Sequence, residues 1–183
     1  MAKVNPEIIS KIEKLSKKEL EKLVLKAASK DKSFHDYLFV NFADKDFGEN
    51  DLFKEAKSDI HKLFFKSYKG YSPQLQSANM LSACIKRINE FSKICKNKNL
   101  EADLLVFVLD EAFTHDPAFF GTCFTNFDYK AGLILKRLIT LVTKKLHEDY
   151  LADYKEKINI YLSRLKSTSS HLDFIYHLPE KID

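Results

Sequence analysis

Leu104-Leu105-Val106-Phe107-Val108-Leu109 is the longest unbroken apolar run in the chain, and its reading decides the fold. By periodicity alone such a run fits a buried strand as well as a buried helix. A strand needs a partner, however, and no neighbouring segment alternates apolar and polar residues at period two. The run therefore predicts a central helix over about 100–114. It is far too short to cross a bilayer.

The segments on either side carry helix punctuation. Ser72-Pro73 caps a long helix with Leu75, Ala78, Leu81, Ile85, Ile88 and Phe91 on one face, ending near the polar run Lys96 to Asn99. Before it, Asn50 or Asp51 opens a helix with a stripe of Phe53, Ala56, Ile60, Leu63, Phe64 and Tyr68, closed by Gly70. Ser33 starts another, carrying Phe34, Tyr37, Leu38 and Phe42. Ser16-Lys17-Lys18-Glu19 is a capping box ahead of Leu20, Leu23 and Val24, and predicts a helix over about 17–29. Asn5-Pro6 reads as a cap with a first-turn proline. On the carboxyl side Asp116-Pro117 restarts the chain, and helical spacing runs from Leu133 to Leu165 with a break near His147 to Asp149. A short helix around Leu172 to Tyr176 precedes Pro179. The expectation is one all-α domain over 1–183, a helical bundle or short α-solenoid of about nine or ten helices.

Two stretches look like copies of one unit. Ser29 to Phe42 laid over Thr114 to Phe127, 85 residues on, pairs Asp31 with Asp116, Phe34 with Phe119, Phe39 with Phe124, Asn41 with Asn126 and Phe42 with Phe127. Upstream, Leu20 falls on Leu105 and Ala27 on Ala112; with one gap, Ile60, Leu63 and Phe64 fall on Leu138, Leu141 and Val142. This predicts two related halves, 17–98 and 99–167, each too small to bury its own apolar faces.

Composition narrows the function classes. Hydrophobic residues make up 45% of 183 and charged residues 31%, with 4 Gly and 4 Pro, a globular balance with little material for long loops. The 15 Phe and 8 Tyr, with no Trp, supply much of the surface available for burial. Net charge is +4 with both signs interspersed. Arg87, Arg137 and Arg164 are the only arginines, which argues against sequence-specific nucleic-acid readout, since lysine lacks the planar fork. Cys84, Cys95 and Cys123 have no CxxC spacing and follow no signal-like segment, so reduced thiols and a cytoplasmic location are expected.

The segment Leu15-Ser16-Lys17-Lys18-Glu19-Leu20-Glu21-Lys22-Leu23-Val24-Leu25, followed by Phe34, Tyr37, Phe42 and then Glu55-Ala56-Lys57-Ser58-Asp59-Ile60, resembles a family of small bacterial helical proteins known only as a domain of unknown function. The resemblance covers roughly the first third of the chain. It implies a bacterial all-helical protein and carries no catalytic residues.

Candidate chemistry is sparse. Asp44, Asp46, Asn50 and Glu55 occupy positions one, three, seven and twelve of a calcium-binding loop between two predicted helices. Glu49 stands where the turn glycine belongs, Gly48 where a ligand belongs and Asp51 where an apolar residue belongs, so a solvated connector is the expectation there. The six histidines give no zinc-site spacing; His147-Glu148 lacks a second histidine one turn on. No G-x-S-x-G or glycine-rich phosphate loop occurs, and His115-Asp116-Pro117 reads as a helix stop and restart. Asp110-Glu111 and Glu148-Asp149 are adjacent residues that point to different helix faces.

These features lead to an expected non-enzymatic protein-interaction or scaffold module, without cofactor and without a membrane span, that meets a protein partner or a second copy of itself. Phe39 and Phe120, in the two aromatic segments, are the candidate partner surface. The alternative is a protein associated with nucleic acid without sequence specificity, through one basic face of Lys86, Arg87, Lys93, Lys136, Arg137, Lys144 and Lys145. A third reading is an enzyme with a site assembled between the two halves.

Overall fold

The structure is a computed structural model that describes residues 5–43, 45–115, 117–123, 125–169 and 172–183. Among these residues there are nine α-helices and no strand. The fold is all-α, in agreement with the central-helix reading of residues 104–109. The chain divides into two compact units, residues 1–48 and 49–183.

The N-terminal unit holds α1 (Pro6–Ile12), α2 (Lys17–Lys30), α3 (Lys32–Leu38), a π-helical turn (Phe39–Ala43) and the start of α4 (Lys45–Phe64). Its helix starts are set locally. Asn5 Oδ1 accepts from the Glu7 N–H at 2.9 Å. Ser16 and Glu19 form the reciprocal capping box. Asp31 Oδ1 accepts from Ser33 N–H and Phe34 N–H and opens α3, two residues earlier than the predicted Ser33. Packing is thin: Val40 is the single buried hydrophobic side chain described in residues 5–43. Phe34, Tyr37 and Phe42 form a short aromatic chain with centroids 6.4 and 6.3 Å apart.

The C-terminal unit contains the remainder of α4, α5 (Pro73–Ile94), α6 (Lys98–His115), α7 (Asn126–Lys144), α8 (Leu151–Thr168) and α9 (Asp173–Tyr176). Ser72 Oγ accepts from Leu75 N–H and Pro73 occupies the first turn, so α5 starts where the sequence places it. Helix α6 is central: Ala102, Leu104, Leu105, Val108, Leu109 and Ala112 are all buried. Helix α7 packs against α5, α6, α8 and α9 and joins the unit together. Gly132 permits the last of these contacts, because a Cβ there would lie 2.8 Å from the Phe174 ring.

Two tyrosine–carboxylate pairs connect α6 and α8. Tyr154 Oη donates to Asp103 Oδ1 at 2.8 Å, and Tyr161 Oη to Asp110 Oδ1 at 2.6 Å. Both partners advance together by two helical turns, so the two helices run in the same direction. Above them Phe120, Phe113 and Tyr161 stack in sequence, with centroids 4.5 and 5.4 Å apart and near-parallel planes. Fully burying each such ring contributes about 1.5–3 kcal/mol. The loop that delivers Phe120 turns at Gly121, whose φ of +74° and approach to the Thr168 carbonyl leave no room for a side chain. Buried Asp128 Oδ2 fixes that loop by accepting from Gly121 N–H at 2.8 Å and Ser169 Oγ–H at 2.6 Å.

Candidate functional site

The outward side of α7 carries an open groove of about 400 Å³. Its floor is Leu133 and Leu141, eight residues apart on one helix face, with Thr140 between them. Its rim is cationic: Lys136, Arg137 and Lys145 from α7 and its end, and Lys98 from the first residue of α6. No carboxylate lines it.

Buried Glu101 organises this rim. Its Oε1 accepts from Arg137 Nε and Nη2 at 3.2 and 2.7 Å, and its Oε2 accepts from Lys98 Nζ at 2.6 Å. Arg137 also donates through Nη1 to Asn89 Oδ1 at 2.6 Å on α5. Burial, the largest single influence, pushes the Glu101 carboxyl up, but the hydrogen bonds and charges of Lys98 and Arg137 together outweigh it and hold the group below its ordinary range. Lys136 extends over the Phe174 ring at 5.4 Å. Such an arrangement can hold negative charge beside apolar surface.

No family model, curated protein or solved structure matches the chain.

The predicted basic residues separate into two groups. Lys86, Lys93, Lys136, Lys144 and Lys145 are exposed on α5, on α7 or just past its end. Arg87 and Arg137 are committed inward, Arg87 Nε donating to Asp59 Oδ2 at 3.0 Å and Arg137 to Glu101. The groove gathers Lys136, Arg137 and Lys145 and leaves Lys86 and Lys93 outside its lining. Lys98 and Glu101 were absent from the sequence-based set. Their i, i+3 spacing at a helix start was the available signal, but the partner that gives it meaning, Arg137, lies 36 residues on.

The aromatic candidates also part. Phe39 is 40% exposed, whereas Phe120 is 9% exposed and stacks on Phe113, so Phe120 belongs to the core and not to a partner surface. Besides Phe39, the N-terminal unit exposes Ile8, Ile9, Ile12, Leu23, Val24, Leu25, Tyr37 and Phe42. Ile60 and Leu138, paired by the sequence repeat, are both fully buried, but three other pairs differ sharply in burial. Leu105, Ala112 and Phe127 are fully buried, while Leu20 is half-buried, Ala27 exposed and Phe42 75% exposed.

Residues 45–55 of the candidate calcium loop are helical. Helix α4 begins at Lys45 rather than at Asn50 or Asp51, so Asn50 and Glu55 lie on a continuous helix and not in a twelve-residue turn. Five helical residues separate them by about 7–8 Å of rise, which does not wrap ligands around one ion. Asp44 and the side chain of Asp46 lie outside the described residues. No cluster of three His, Cys, Asp or Glu side chains suited to a metal occurs among the described residues, and no described helix is long and apolar enough to cross a membrane.

Proposed function

We propose that the chain is a non-enzymatic protein-interaction module whose N-terminal unit meets the partner. One observation carries the reading: three apolar positions of the N-terminal unit, Leu20, Ala27 and Phe42, stand half-buried or exposed where their repeat partners Leu105, Ala112 and Phe127 are fully buried. A unit of this size with one buried hydrophobic side chain among its described residues gains little stability from the packing of those residues, and a partner that covers the exposed faces supplies the missing burial. The basic groove supports the same class of function over nucleic-acid binding, because both of the arginines in the predicted basic face are already held by carboxylates.

The test pairs sedimentation of the purified chain with capture from lysate, with and without nuclease and at two salt concentrations, using wild type and the double variant Leu23→Ser/Phe42→Ser. Association of the wild type that survives nuclease and high salt and disappears in the variant supports the reading. The variant should keep its thermal midpoint, since substitutions of exposed side chains alter stability by no more than about 0.5 kcal/mol. A chain that stays monomeric, and whose captured material is lost with nuclease or salt, transfers the function to nucleic-acid association.

A further inference from the structure

We infer that the groove along α7 receives an acidic amphipathic helix of a partner protein. The inference rests on the interaction-module reading and adds to it a second docking element with a defined partner chemistry.

Shape selects a helix. Lys136, Arg137, Thr140 and Leu141 lie three, four, seven and eight residues on from Leu133, a single face of α7 about 12 Å long. That spacing forms the ridges and hollows into which a second helix packs. The groove is open to solvent along its length, so it would leave a small molecule largely wet, while two turns of helix cover both leucines at once.

Charge selects an acidic one. Four cations face the groove, and among the described residues Glu101, buried behind them, is the one carboxylate paired with any of them. Lys136 and Lys145 have no ion-pair partner among the described residues. Two of the four cations are already oriented, Lys98 by Glu101 and Arg137 by Glu101 and Asn89. Little side-chain freedom remains to be lost there when a partner binds. The leucines lying among the cations favour carboxylates alternating with apolar side chains over a uniformly charged phosphate chain.

The experiment measures fluorescence polarisation of a labelled, helix-favouring synthetic peptide with leucines two turns apart and glutamates between them, titrated with the full chain. The comparison arms are the same peptide with glutamine for every glutamate, the protein variant Lys136→Glu/Lys145→Glu, the variant Leu23→Ser/Phe42→Ser, and competition by unlabelled poly-uridine RNA. Saturable binding of the glutamate peptide, weakened about tenfold or more both by the glutamine replacement and by the lysine reversals, supports the proposal. Both lysines are exposed, so an unchanged thermal midpoint certifies that the reversed variant is folded. Equal binding of the two peptides, no saturable binding up to millimolar protein, or displacement by stoichiometric RNA overturns it. Loss of the N-terminal apolar side chains should leave peptide binding intact. Failure at the groove is thereby distinguished from failure of the interaction-module reading, which is judged by the association lost in Leu23→Ser/Phe42→Ser.

Discussion

Arg137 donates from both Nε and Nη2 to one oxygen of Glu101, at 3.2 and 2.7 Å, while Lys98 donates to the other at 2.6 Å. Through this one carboxylate, 4% exposed, α7 is tied to the first turn of α6 at the edge of the groove.

Glu101→Gln leaves both cations without their counter-charge. At neutral pH it should cost about 3 kcal/mol in urea unfolding, the low end for a broken buried pair, because Lys98 and Arg137 keep partial access to water. The carboxyl is held below its ordinary value in the folded chain, so its contribution is complete above the unfolded value and is lost as pH falls through the folded one. The difference between wild type and variant should be full above about pH 5 and shrink below about pH 4. A difference that stays constant across that range would contradict the assignment of charge to Glu101.

Phe120 and Phe39 should respond oppositely to alanine. Phe120 lies between Phe113 and Phe127, at centroid distances of 4.5 and 4.8 Å, and Phe120→Ala should lose about 3 kcal/mol of stability. Phe39→Ala, at a partly exposed ring, should lose less than about 1 kcal/mol. Differential scanning calorimetry of the two variants decides the matter, and equal losses would remove Phe39 from the partner surface.

The three cysteines should separate by reactivity. Burial pushes the Cys84 thiol up to about 12 and also raises Cys95, keeping both protonated at neutral pH, while Cys123 is exposed. Iodoacetamide at pH 8 followed by mass spectrometry should label Cys123 first and the other two only on unfolding. Early modification of Cys84 in the folded chain would show that α5 opens locally.

Helix starts in this chain are local events, and for that reason they can be read from short stretches of sequence. Ser16 with Glu19, Ser72 with Pro73 and Asn5 with Pro6 each place a polar acceptor within three residues of the N–H group it satisfies. The break near His147 likewise appears where the spacing predicts it, as a 3₁₀ turn over Glu148–Tyr150. The start of α4 escaped the same logic. Asp44 to Asn50 combines acidic residues and a glycine as turns do, yet helix runs from Lys45, and Gly48 within it packs against Phe39 and Val40, where a larger residue would press on the Phe39 ring.

Helix existence and the apolar stripe of each helix were thus determined by the sequence itself, because both depend on residues within one or two turns of each other. Which apolar residues are covered depends on neighbours far along the chain. Phe42 and Phe127 occupy equivalent places in similar stretches, and one is exposed while the other is enclosed by Phe119 and Phe120. The cationic groove has the same origin: Lys98, Glu101 and Arg137 are unremarkable surface-type residues in sequence, and they become one site only where α6, α5 and α7 pack side by side and Glu101 loses its water.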